Sequence, residues 1–199
     1  MSVVPQRGFG KWHALTAASC LILALGVRGY WKANYPYGSS HCCSKLLGLA
    51  LHMYAREHNG FFPAGGPTPE ASLSFLYTNG LSAMVLRGKT VPLKVTQAAL
   101  VKDGVLGPES CGWHYVEGLK DMDDPNIAIV WDKVGLNHNG RRFKGGGHEV
   151  IRLDGSTHYV SGPVRPKFLE DQKQLLATRA TNVQTKEIEG SGPPKPNKQ

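Results

Sequence analysis

The chain reads as an α+β protein with an N-terminal membrane helix, an amphipathic helix after it, and a small antiparallel sheet ending in a β-hairpin. Three observations predict this. Residues 12–27, WHALTAASCLILALGV, form an apolar run in which His13 is the strongly polar member. Cys43, Leu46, Leu47, Ala50, Met53 and Tyr54 recur at helical spacing. Residues 148–160, HEVIRLDGSTHYV, are two strand-like stretches joined at Asp154-Gly155. Asp-Gly between strands signals a two-residue type I′ turn, which needs positive φ at both central positions. That register sets Leu153 against Ser156, Ile151 against His158 and Val150 against Tyr159. Ile151, Leu153 and Val160 then form a core face; Val150 and Tyr159, beside Arg152 and Thr157, form a half-exposed one.

Charge and cysteine usage narrow the function classes. The net charge of +8 sits at the two ends of the 199 residues. Residues 1–40 carry Arg7, Lys11, Arg28 and Lys32 with no acid, while residues 41–162 are close to neutral. A nucleic-acid binder concentrates charge on its folded domain, so nucleic acid is not an expected partner. Basic residues around an apolar run suit an anionic membrane surface. Cys20 lies inside the apolar run, and Cys42, Cys43 and Cys111 leave room for one bridge, so cysteine usage does not reveal the compartment.

The apolar run is short of the ~20 residues that cross a bilayer. Its flanks, Lys11 on one side and Arg28, Tyr30, Trp31 and Lys32 on the other, extend it by snorkelling and aromatic anchoring. A cleaved signal peptide needs small residues at its cleavage site, and GVRGYWKANYPY offers no convincing one. A lipoprotein signal needs its apolar run before the cysteine, and most of this run follows Cys20. A buried soluble helix fits poorly with basic and aromatic flanks on both sides. A membrane anchor, uncleaved or trimmed at its N-terminus, is the favoured reading.

Pro36 breaks the first helix. Ser39 or Ser40 caps a second helix running to about His58, with Lys45, His52, Arg56 and Glu57 toward water and Asn59-Gly60 as a left-handed stop. Thr68-Pro69-Glu70 starts a third helix that ends at Asn79-Gly80. Short helical pieces follow at 81–86 and 96–102. Residues 112–116 and 126–131 read as strands, and the glycine-rich stretch 135–147 leads into the hairpin. From Thr181 the chain is polar and is expected to be a disordered tail. The domain organisation is therefore 1–38 anchor and linker, 39–180 globular domain, and 181–199 tail.

Two stretches together resemble a known group. LLGLALHMYAREHNGFFPAG at 46–65 resembles the segment after the N-terminal helix of type II secretion pseudopilins and type IV pilin-like proteins. His138, followed by GGGHEVIRLDGSTHYVS, resembles that group's C-terminal pattern. The matching residues are Gly48, Leu49, Ala50, Leu51, His52, Tyr54, Gly60, Phe62, Pro63, His138, Asp154, Gly155 and Ser156, about a quarter of the chain when the stretches are taken whole. The resemblance implies a pilin-like domain acting by packing and assembly rather than catalysis. It implies a single-pass inner-membrane protein with its domain on the extracytoplasmic side, partnered by similar subunits or secretion-machinery proteins. It also implies prepilin processing between Gly8 and Phe9, after Arg7. Here the sequence departs from the pattern: the fifth residue from Phe9 is His13 where the group has glutamate, Ser44 replaces a leucine, and Pro36 interrupts one long helix. The group's calcium loop is not recognisable, although Asp121, Asp123 and Asp124 are clustered.

The competing reading is a metal-dependent hydrolase using His138, His148 and His158 with Asp154. Their spacing matches no metal motif, and the turn already accounts for Asp154. No nucleophile elbow, phosphate loop or HExxH occurs, so no catalytic residue, metal or cofactor is assigned.

Overall fold

A computed structural model of the protein describes residues 10–39, 44–137, 139–143 and 145–190. Helix α1 (Lys11–Asn34) outruns the apolar stretch, because Arg28 and Lys32 continue it until Pro36 excludes the helical conformation at Tyr35. Its 24 residues span about 36 Å at ~1.5 Å per residue, enough for a ~30 Å hydrocarbon layer. Leu21, Ile22, Leu23 and Leu25 are each at least 60% exposed. This is a helix long and apolar enough to cross a membrane.

Helix α2 (Ser44–Glu57) is amphipathic, but its inner face is not the expected one. Ser44, Leu47, Gly48, Leu51 and Ala55 are buried, whereas Leu46 and Met53 are about half exposed. The missing side chain of Gly48 allows this rotation, since it lets the helix approach Ile151 of the sheet closely. The Cys43 end of the expected stripe and the expected cap at Ser40 lie outside the described residues, and Ser39, the alternative cap, is an exposed bend before them. The C-terminal stop is as expected: Asn59 and Gly60 both have positive φ, and Gly60 N–H closes on Ala55 O.

Helix α3 (Pro69–Thr78) begins where Thr68 accepts a bond from Ala71 N–H, with proline in the first turn. Helices α4 (Ala83–Leu86) and α5 (Leu93–Lys102) follow, and Gly88 and Gly104 turn the chain after each. Then β1 (Trp113–Tyr115), β2 (Ala128–Asp132), β3 (His148–Arg152) and β4 (Thr157–Val160) form an antiparallel meander in chain order. The core lies between α2–α5 and this sheet, around Leu47, Leu51, Phe62, Leu76, Trp113 and Ile151.

The element absent from the sequence reading is α6 (Arg165–Gly190), which follows a 3-10 turn at Gly162–Val164. It runs past Thr181, where a disordered tail is expected, to Gly190. It packs through Phe168, edge-on to Trp131 at 6.4 Å, and through Leu175 and Leu176. It also repairs the sheet. The β2–β3 register shifts between Ala128 and Val130, and Gln172 of α6 accepts the Ala128 N–H at 2.7 Å. A bulge leaves a residue outside the ladder, and here a side chain takes up the neighbouring backbone donor.

Candidate functional site: the seam between α2 and the β3–β4 turn

The hairpin forms at the expected residues in a different register. Ile151 pairs with Thr157, Val150 with His158 and Glu149 with Tyr159, one step from the expected pairing. The loop is three residues, Leu153-Asp154-Gly155. Gly155 N–H donates to Arg152 O at 2.9 Å, and Arg152 N–H donates to Ser156 O at 2.9 Å. This is a type I turn followed by a left-handed glycine, so only Gly155 (φ +79°) needs positive φ. Leu153 explains the shift: it is 2% exposed, and its N–H donates to Ile127 O on the neighbouring segment. Burying Leu153 outweighs forming the tighter turn. Val150 is buried as well as Ile151, so β3 is covered on both faces rather than half-exposed on one.

The seam itself is built from the two ends of the globular part. A Cβ on Gly48 would sit 3.2 Å from Ile151, so α2 rests almost directly on β3. One turn further along α2, His52 reaches the hairpin, where a Cβ on Gly155 would lie 3.3 Å from its Nε2. Phe62 stands edge-on to the same imidazole at 5.5 Å. Gly60 lies so close to Asp121 that a Cβ there would collide with the carboxylate. Thus Phe62 and Gly155 face the His52 ring, while Gly48 meets Ile151 and Gly60 meets Asp121 on either side of it in the chain.

His52 is half-buried, which corrects the expectation that it points to water. Its Nε2 has no hydrogen-bond partner among the described residues. Burial pushes its pKa below the usual histidine value, against the raising influence of Asp121 and Asp154. The signal available in the sequence was its spacing from Gly48 and Ala55, which places the three on one helix face.

Asp154 works within the turn. Its Oδ1 accepts bonds from Ser156 N–H and Ser156 O–H, and these hold its carboxyl below the usual range. Ser156 Oγ also lies 2.9 Å from His158 Nε2. Serine therefore occupies the centre of this chain, the place a general-base histidine takes in an acyl-transfer triad.

The other expected site residues are spread apart. His148 is buried, with Nδ1 2.9 Å from Asp132 O, and burial lowers its pKa. His138 lies outside the described residues, as do Gly8 and Phe9. Among the described residues, no three His, Cys, Asp or Glu side chains gather as a metal site. Asp123 Oδ2 accepts from Arg179 at 2.6 Å and from Lys120 N–H at 2.8 Å. Asp124 Oδ1 caps the turn at Asn126, and Asp121 sits against Gly60, so the three carboxylates have separate tasks.

Sequence reasoning also missed a buried charge cluster behind the seam. Lys89, 3% exposed, donates to Asp132 at 2.9 Å and to Leu136 O at 3.1 Å, with Glu149 at 3.6 Å. Glu149 in turn accepts from Ser44 at 2.8 Å, which ties the start of α2 to β3. Burial pushes the Asp132 carboxyl up to about 6, with Lys89 opposing the rise. A lysine in a loop carries no sequence signal of such burial. No protein-family model, curated protein or solved structure matches this chain.

Proposed function

We propose that the protein is a non-enzymatic, membrane-anchored, pseudopilin-like envelope component that works by packing and assembly in a type II secretion or type IV pilus-like system. The observation that carries the reading is the seam. The two stretches that resemble that group, 46–65 and the segment around Asp154-Gly155-Ser156, pack on each other through Gly48, His52, Phe62 and Gly155. Residues that serve one contact explain why two distant stretches share one pattern without any catalytic role. Helix α1, exposed and apolar, supplies the anchor. In this reading the domain lies on the extracytoplasmic side of the inner membrane, and similar subunits are its partners. His13, in place of the acid that pairs with a neighbour's amine, makes assembly weaker than in a filament-former.

Membrane fractionation of the native protein with N-terminal sequencing tests this. The expected result is a carbonate-resistant membrane protein beginning at Met1 or Phe9, cross-linked in place to other single-span subunits. A soluble product beginning beyond residue 27 would identify α1 as a cleaved signal and remove the reading.

A further inference from the structure

The two acid-free stretches nearest the membrane meet in space. No Asp or Glu occurs in residues 1–56 or in residues 133–148. The loop between β2 and β3 docks on the end of α1: Arg142 N–H donates to Asn34 O at 2.8 Å, and Arg141 Nε to Asn34 Oδ1 at 3.4 Å. Asn137 shapes this loop. Its Oδ1 accepts from Asn139 N–H at 3.0 Å and Arg141 N–H at 2.9 Å, and its own N–H donates to Arg141 O at 2.8 Å. The two arginines are thus presented from a hydrogen-bonded turn, not from a free strand of loop.

Both arginines are exposed, as are Arg28 and Lys32, which lie one turn apart on α1. Among the described residues, none of these four cations pairs with a carboxylate. Trp31 stacks on Tyr35 at 4.5 Å, and Phe143 packs on Tyr159 at 4.2 Å, so aromatic rings accompany the charges. The apolar run ends at Val27, and Asn34 lies about 10 Å further along the helix at ~1.5 Å per residue. A span of ~20 residues from Trp12 ends near Trp31, which sets Asn34 about 5 Å beyond the hydrocarbon, within the headgroup layer.

We propose that the 139–143 segment and the C-terminal end of α1 bind anionic phospholipid headgroups, so that lipid phosphates hold the domain against the membrane. Arginine suits this ligand, because its planar fork donates two parallel hydrogen bonds to phosphate. Arg141 and Arg142 beside Asn34, with Arg28 and Lys32 further round the same helix, surround its end with positive charge, which favours an anionic headgroup over a zwitterionic one. The proposal rests on α1 spanning the membrane, as in the reading above.

The test uses the full chain in vesicles of phosphatidylcholine alone and of phosphatidylcholine with phosphatidylglycerol, read by hydrogen exchange. Amides of 139–143 are expected to exchange several-fold more slowly with phosphatidylglycerol, and raised salt narrows the difference. The double variant Arg141→Gln/Arg142→Gln should lose the difference while its β2 and β3 amides stay protected. Equal exchange in both vesicles, from carbonate-resistant protein, overturns the proposal. Inorganic phosphate giving the same protection in phosphatidylcholine vesicles also overturns it, in favour of a soluble ligand. Release by carbonate instead defeats the anchor reading, and this proposal with it.

Discussion

Replacing Lys89 with methionine probes the cluster that joins α2, β2 and β3. Methionine matches the length of the lysine stem but removes the ammonium between Asp132 and Glu149. Asp132 is 2% exposed and the Lys89 side chain is fully buried, so water does not replace the lost partner. Breaking a buried pair by deleting one member costs about 3–5 kcal/mol, because the other charge is left uncompensated. That is a large share of a domain's ~5–15 kcal/mol. The cost depends on pH in a definite direction. The folded pKa of Asp132, about 6, is above its unfolded value, so its contribution to stability is fully present below the unfolded pKa. It is lost as pH rises from that value through about 6. Lys89 lowers this pKa, so the variant holds its proton to higher pH and loses stability over a wider range. Lys89→Met should therefore be most damaging near about pH 8 and mildest near about pH 5. Urea titrations of the full chain in detergent, followed through the buried Trp113 whose ring lies 5.9 Å from Lys89, report it. A cost under ~1 kcal/mol at the higher pH would show that the cluster does not hold these elements together, and an equal cost at both would show that Asp132 does not set its pH dependence.

Two further substitutions test the sheet. Gly155→Val forces a β-branched residue to φ near +79° and brings a Cβ to 3.3 Å from His52, at a cost on the order of 1–3 kcal/mol. Asp154→Asn keeps an acceptor for both Ser156 donors and should change stability by less than ~0.5 kcal/mol; thermal melts of the pair check the contrast, and a silent Gly155→Val would defeat the turn geometry. Gln172→Leu leaves the Ala128 N–H and Asn126 O without their α6 partner, an expected loss of about 1–3 kcal/mol by urea titration. An unchanged midpoint would mean that α6 does not secure the bulge.

What was legible in the sequence was local. Thr68-Pro69 starts a helix and Asn79-Gly80 ends it because capping and positive φ are decided within a few residues. The existence of the hairpin followed from Asp154-Gly155 in the same way. Its register did not, because the pull on Leu153 comes from Ile127 on a separate segment. The inner face of α2 was missed because apolar residues surround that helix, and only contact with Ile151 shows that Gly48 faces inward. Helix α6 was overlooked because it is polar, although Phe168, Gln172, Leu175, Leu176 and Arg179 share one face at helical spacing. Lys89 was illegible for a different reason: its burial depends on Asp132 and Glu149, which reach this loop residue from β2 and β3.

The seam also sets an order of events as the chain is made. Ser44 and Glu149 are 105 positions apart, and the contact between α2 and β3 closes a loop of that size. Helix α1 leaves the ribosome first and can enter the bilayer while most of the domain is still untranslated. Helix α2 must then wait with Gly48 and His52 uncovered until β3 and its turn emerge, about 5–20 s later at ~5–20 residues per second. If α1 is the anchor proposed above, α2 spends that interval beside the membrane with this face uncovered. A chain truncated before β3 would never cover that face, so a closed seam reports that synthesis has passed the hairpin.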